Sequence, residues 1–214
     1  MTLILSDPPH DCPLCPRLAA FRDENRAKYP DFFNGPVPVG QSPAPRLVIV
    51  GLAPGLKGAN RTGRPFTGDY AGDLLYATLK KFGLAHGTYA QSPDDGFTLN
   101  GVMIVNAVRC VPPQNKPTPA EIHTCRPFLR AAFDTEPQAK LYLALGRIAH
   151  ESLLRTLGAK LSAHPFAHAA EHRLATGETV LDSYHCSRYN TNTGVLTTAM
   201  FETVVARAAA LAAG

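Results

Sequence analysis

Three short runs of uninterrupted apolar residues constrain this chain more than any other feature: residues 47–50 (LVIV), 102–105 (VMIV) and 141–145 (LYLAL). They are too short for buried helices, and their lack of polar alternation demands cover on both faces, as in a parallel sheet between helical layers. A weaker run at 179–181 (TVL) extends the set. Between the runs lie helical patterns. Residues 16–29 carry Leu18, Phe21 and Arg22 at helical spacing, and residues 69–82 carry Leu74, Leu75, Leu79 and Phe82. Thr118-Pro119-Ala120-Glu121 forms a capping box with proline at the first helical position, opening a helix to about Phe133. Residues 147–157 and 197–212 complete the alternation. The sequence predicts an α/β fold, a three-layer α/β/α sandwich around a four-stranded parallel sheet, as a single domain over residues 1–214. The Pro/Gly-rich stretch 34–45 reads as an irregular loop within it.

Unusual polar or glycine-rich segments begin where the apolar runs end: Gly51-Leu52-Ala53-Pro54-Gly55, Asn106 to Cys110, and His185 to Asn190. Open parallel sheets bind ligands outside the carboxyl ends of their strands, so these segments are expected to converge on one site. Residues 51–72 are glycine-rich but lack the spacing of a Walker loop or a dinucleotide fingerprint. Within them, Phe66 suits stacking on a planar base, or packing beneath the loop. Asp69 serves as an N-cap, a working carboxylate, or both. Asn106 offers a donor and an acceptor to a base edge, or braces backbone. His185 is followed by Ser187, Arg188, Tyr189 and Asn190, a group able to hold phosphates and enter a base stack. The other seven histidines form no metal-binding pattern and read as surface residues.

Five cysteines are present, and a reducing compartment disfavours disulfides. Cys12 and Cys15 form a C-x2-C pair, and Cys110 and Cys125 a wider one. Four such thiolates can hold a [4Fe–4S] cluster or a tetrahedral zinc; unrelated buried cysteines are the plain alternative. Charged residues make up 18% and apolar residues 45%, which excludes a disordered chain. A net charge of +4 permits a nucleic-acid partner without demonstrating one. No run approaches the roughly 18 apolar residues of a membrane span. Residues 1–5 lack the basic flank and length of a signal peptide, so a cytoplasmic protein with no membrane partner is expected.

The segments GLAPGLKGANRTGRPFTGD (residues 51–69) and SYHCSRYNTNTG (183–194), with the four paired cysteines, resemble the uracil-DNA glycosylase superfamily. The nearest match is its type b, or family 5, iron–sulfur branch. That resemblance implies a DNA repair enzyme that flips out uracil, and other deaminated bases such as hypoxanthine, and hydrolyses the N-glycosidic bond. It implies a structural [4Fe–4S] cluster on Cys12, Cys15, Cys110 and Cys125 in preference to zinc, and a monomer acting on uracil-containing DNA. Most branches place a polar residue just after the first strand; here Leu52-Ala53-Pro54 is apolar, as in type b, so the carboxylate falls to Asp69. The implied catalytic residues are Asp69, Asn106 and His185. Gly51, Leu52, Ala53, Pro54, Gly55 and Phe66 would form the base pocket with Asn106. Arg61, Arg64, Ser187, Arg188, Tyr189 and Asn190 would meet DNA, with Arg188 and Tyr189 filling the vacated space. Cys186, where relatives often carry proline, is expected as a free thiol in the loop that enters DNA. A non-catalytic or covalently trapping uracil-DNA binder is the alternative. Trapping relatives carry a basic, histidine-containing insertion, and only Lys80, Lys81 and His86 stand near that point here.

Overall fold

Four parallel strands form the centre of the molecule, as the apolar runs require, but the sheet they belong to is wider. The structure, a computed structural model, describes residues 7–214; the apolar start at residues 1–5 lies outside the described residues. Helix α1 (Pro16–Lys28) leads to a two-residue strand β1 (Gly40–Gln41), then β2 (Leu47–Gly51), the short α2 (Ala59–Thr62) and α3 (Tyr70–Lys81). A small hairpin, β3 (Ala85–His86) and β4 (Thr98–Leu99), precedes β5 (Val102–Asn106) and α4 (Pro119–Asp134). There follow β6 (Leu141–Leu145), α5 (Arg147–Leu157), β7 (Glu171–Arg173), β8 (Thr179–Ser183), α6 (Arg188–Asn192) and α7 (Thr198–Ala213).

The main sheet runs β1-β5-β2-β6-β8-β7. β2 pairs in parallel with β5 and β6, and β6 with β8, while β1 and β7 close the edges antiparallel. The expected four-stranded sheet is therefore the parallel centre of six strands. The two edge strands, one inside the stretch read as a loop, are too short for any periodicity and exist because a formed neighbour offers them a ladder.

Alternate residues of β2 explain its unbroken apolarity. Leu47 and Ile49 pack with Leu75 and Leu79 of α3 and Phe201 and Val205 of α7. Val48 and Val50 pack on the opposite face with Leu129 and Phe133 of α4 and Leu153 and Leu154 of α5. Each fully buried aliphatic side chain contributes roughly 1.5–3 kcal/mol, so both layers hold the sheet. The capping box forms: Thr118 Oγ1 accepts from Glu121 N at 3.3 Å, and Glu121 Oε2 accepts from Thr118 N at 2.8 Å. Glu121 also receives both Arg17 Nε at 2.8 Å and Nη2 at 2.7 Å, which ties α1 to α4. A third, small core lies at that junction, with Leu18, Val108 and Cys125 buried in it. No helix among the described residues is long and apolar enough to cross a membrane.

Candidate active site and cysteine pocket

The carboxyl ends of β2, β5 and β8 meet, and the first contact there is backbone against side chain. A Cβ on Gly51 would stand 2.4 Å from Asn106 Oδ1 and 2.7 Å from the Phe66 ring, so only glycine lets these groups close over the strand end. Asn106 is buried and its Oδ1 has no hydrogen-bond partner among the described residues. It lines a hollow with Pro54, Phe66, Asp69 and His185.

Phe66 is held in an unusual conformation. Its φ of 51° is left-handed, which costs a bulky residue on the order of 1 kcal/mol. Tyr76 Oη donates to Pro65 O and Tyr89 Oη to Phe66 O at 3.4 Å. A Cβ on Gly72 would fall 1.6 Å from Phe66 O, so the start of α3 fits beneath this turn only as glycine. The result is a Phe66 ring lying 28° from the plane of the His185 imidazole, centroids 6.2 Å apart.

Asp69 fills the N-cap role read from the sequence and turns its second oxygen towards the glycine-rich loop. Its Oδ1 accepts from Gly72 N at 3.1 Å as the cap of α3. Its Oδ2 lies over Gly55 and Gly58, 2.9 and 2.3 Å from where their Cβ atoms would be. Burial pushes the His185 imidazole below its ordinary value, and the Asp69 carboxylate pulls only partly the other way. The ring is thus neutral near pH 7. Asn190 Nδ2 donates to His185 O at 2.8 Å and fixes the loop from its far side.

A wider cleft continues outward past Leu52, Gly55, Ser187 and Arg188, and it also takes in Lys57, Tyr70 and Asn115. Those last three were missed in the sequence. Lys57 had a signal, being a cation inside the glycine-rich motif; Asn115 had none and arrives on the turn after β5. Arg188 stacks its guanidinium 5.5 Å over Tyr70, and Tyr189 is 74% exposed beside it. Ser187 caps α6, accepting from Asn190 N at 3.3 Å.

Three residues stand elsewhere than expected. Arg64 is not brought to the cleft: its Nη1 and Nη2 each donate to Asp95 at 2.8 Å, and the guanidinium packs against Tyr76, Tyr89 and Phe97. That pairing holds the Asp95 carboxyl far below its usual range. Arg61 donates through Nε to Lys57 O at 3.0 Å, and its Nη2 fills the space a Cβ on Gly68 would need. Cys186 does not reach the DNA-facing tip; it is fully buried beneath it, donating to Ala71 O at 3.5 Å, with its thiol pushed by burial to about 12.

The geometry so far is a hollow with an open amide oxygen, an aromatic wall, a neutral imidazole and a carboxylate. Comparison with known proteins decides the family. Residues 37–209 match the family described as the uracil DNA glycosylase superfamily. The chain belongs to the uracil-DNA glycosylase superfamily. It is 46% identical over 206 residues to the Type-5 uracil-DNA glycosylase of Thermus thermophilus, covering 94% of each chain. It is 41% identical over 209 residues to that of Mycobacterium bovis, covering 94% of this chain and 78% of the relative. With that of Pyrobaculum aerophilum, identity is 40% over 205 residues, covering 94% and 88%.

In this superfamily member the segment carrying His185 is clamped from behind by a histidine the sequence reading had placed on the surface. His150 is buried; its Nδ1 lies 2.7 Å from Asp182 Oδ1 and its Nε2 lies 2.9 Å from His164 O. His172 Nε2 donates to the other Asp182 oxygen at 3.0 Å. Asp182 lies on β8 three residues before His185.

Cys12, Cys15, Cys110 and Cys125 line one small hollow whose remaining wall includes Leu14, Leu18, Val108 and Phe128. Burial, then repulsion from the neighbouring sulfurs, pushes the Cys110 thiol to about 12. Burial likewise carries Cys125 to about 11. Thiolates there need a cationic centre among them. A tetrahedral zinc with bonds of about 2.3 Å would draw its sulfurs to about 3.8 Å from one another. Among the described residues, the metal-ligating set gathered within 4.8 Å is instead His150, His172 and Asp182, whose atoms are already hydrogen-bonded to each other. Four thiols around one hollow with chiefly apolar remaining walls are compatible with a polynuclear iron–sulfur group.

Proposed function

We propose that this chain excises uracil, and other deaminated bases such as hypoxanthine, from DNA by hydrolysing the N-glycosidic bond and leaving an abasic site. The observation that carries this reading is the open Oδ1 of Asn106 in a hollow walled by Phe66 and shared with Asp69 and His185. An Asn amide set against a base edge accepts from one ring N–H and donates to the adjacent carbonyl. Uracil presents that pair at O4 and N3–H, and hypoxanthine presents the same pair at O6 and N1–H. Cytosine presents the reverse, which supplies the discrimination.

The target base leaves the stack to reach the hollow, at a cost of a few kcal/mol that is lowest for mispaired bases. Phe66 stacks on it, and the Gly51-to-Gly55 backbone forms the floor. Arg188 and exposed Tyr189 occupy the vacated space, braced by Ser187 and Asn190. Lys57 lines the cleft as a cation for phosphates, its backbone carbonyl accepting from Arg61; Arg64, engaged by Asp95, supports the loop instead. As the bond breaks, neutral His185 donates to the base carbonyl that gains charge, while Asp69 stabilises the cationic sugar and orients water. Leu52, Ala53 and Pro54 offer no side chain for that task, so Asp69 carries it alone.

Cys12, Cys15, Cys110 and Cys125 hold a [4Fe–4S] cluster in this reading, where it serves to tie α1 to the turn after β5. The reaction transfers no electrons. The protein acts as a monomer in the cytoplasm. Single-turnover excision on uracil, hypoxanthine and unmodified cytosine duplexes tests the proposal. His185→Ala and Asp69→Asn are each expected to lower the uracil rate by about 10²–10³. Wild-type rates in both variants would sink the assignment, and tight binding of intact uracil DNA without product would favour a non-catalytic binder.

A further inference from the structure

Helices α4 and α5 leave a groove between them that starts at the same end of the sheet as the cleft. Its α4 wall begins at Pro117, two residues after Asn115, which lines the cleft. Its α5 wall begins at Ile148, two residues after Gly146, where a Cβ would stand 3.3 Å from His185 Cβ. Both walls therefore leave directly from the site. Each helix follows a parallel strand, so its N-terminus sits at the carboxyl end of the sheet. Helical side chains lean back towards the N-terminus of their helix, here towards the cleft.

Two arginines line this groove, Arg126 from α4 and Arg155 from α5, and neither has a carboxylate partner among the described residues. Arg130 of the same α4 shows the ordinary alternative, pairing with Asp134 at 3.0 Å. Arg126 Nη1 lies 3.1 Å from His123 Nδ1, while its buried Nε has no hydrogen-bond partner among the described residues. Ser152 lines the same groove at 1% exposure, and its buried Oγ is unpartnered too. An unmet buried donor is costly, and two of them beside two unpaired cations call for an anion rich in oxygen. Glu151 is the one carboxylate of the lining and pairs with neither arginine, so the groove keeps a positive balance. Its remaining walls, Ile122 and the 41% exposed Ile148 among them, are apolar and suit the sugar faces between phosphates.

We propose that the groove between α4 and α5 is a second DNA-backbone site, in which Arg126, Arg155 and Ser152 hold phosphates beyond the flipped nucleotide. Contacts of this kind fix the register of the duplex and add salt-dependent affinity without reading bases. The groove supplies binding and no chemistry, because none of these three residues lines the hollow of Asn106, Asp69 and His185. The proposal rests on the reading that DNA is the substrate, and the two are separable.

Fluorescence anisotropy with an undamaged duplex, repeated over a range of salt, compares wild type with the double variant Arg126→Gln/Arg155→Gln, with Ser152→Ala, with Glu151→Gln and with Arg130→Gln as control. The double variant is expected to bind about 10-fold more weakly, with a log–log salt slope shallower by about 2, since each phosphate contact contributes about 0.9. Ser152→Ala is expected to bind about 3-fold more weakly while thermal unfolding shows stability unchanged or raised, because an unmet donor is gone. Glu151→Gln removes a repelling charge and is expected to tighten binding about 3-fold. Single-turnover uracil excision at saturating enzyme is expected to stay within about 2-fold of wild type in all three groove variants. Unchanged affinity and salt slope in the double variant overturn the proposal. So does an equal loss per charge removed in Arg130→Gln, which would make total charge the cause. A wild type that shows the groove effects yet leaves uracil in place fails the glycosylase reading and keeps the groove. Wild-type excision with groove variants that bind as wild type does the reverse.

Discussion

Single residues here are fixed by what their neighbours lack. Phe66 keeps its left-handed backbone because Gly72 leaves room for its carbonyl, and it reaches the hollow because Gly51 leaves room for its ring. Gly72→Ala is therefore expected to cost on the order of 2 kcal/mol in stability and to lower uracil excision at least 10-fold. Chemical denaturation alongside single-turnover kinetics reads both. The pH dependence follows from His185. Its folded-state value is lowered by burial, so the working neutral imidazole persists as pH falls, and the excision rate is expected to stay flat down to about 6.5. Stability moves the other way: below about 6.5 the unfolded chain takes up a proton that the folded chain refuses, so stability falls with pH. His185→Ala should flatten that limb of the stability curve. Asp69 was legible as a cap because N-cap geometry is local, set by a side chain and the amide three residues on.

At the scale of elements, the sequence located strands and helices well, since periodicity and capping are local. It did not foresee that Asp95, 31 residues away in the chain, pairs with Arg64. Arg64→Ala is expected to destabilise the protein by on the order of 2 kcal/mol while leaving affinity for uracil-containing DNA within about 3-fold of wild type. A larger loss of affinity at unchanged stability would return Arg64 to the DNA surface. The same blindness hid His150. It stands on α5 with an ordinary helical pattern around it, and only the parallel pairing of β6 with β8 brings Asp182 to its ring. Asp182→Asn removes the charge that both histidines serve. It is expected to lower single-turnover excision about 10-fold with DNA affinity little changed, because β8 delivers His185. A loss confined to affinity would contradict that account.

For the whole molecule, the continuous apolar runs dictated helices on both faces, and the polar segments at the strand ends meet around one hollow. The C-x2-C pair and its distant partner pair came together where α1 meets α4, through Arg17 and Glu121 as well as through the small core around Leu18. By itself the sequence determined the layer order, which segments sit at the strand ends and the family resemblance, because periodicity, capping and motif spacing act over neighbouring residues. Only the tertiary structure decided the two edge strands, the burial of Cys186, the diversion of Arg64 to Asp95 and the meeting of Arg126 and Arg155 in one groove. Each of those depends on what a side chain or backbone meets across the fold, and hydrogen-bond partners and burial are properties of the packed chain rather than of its order.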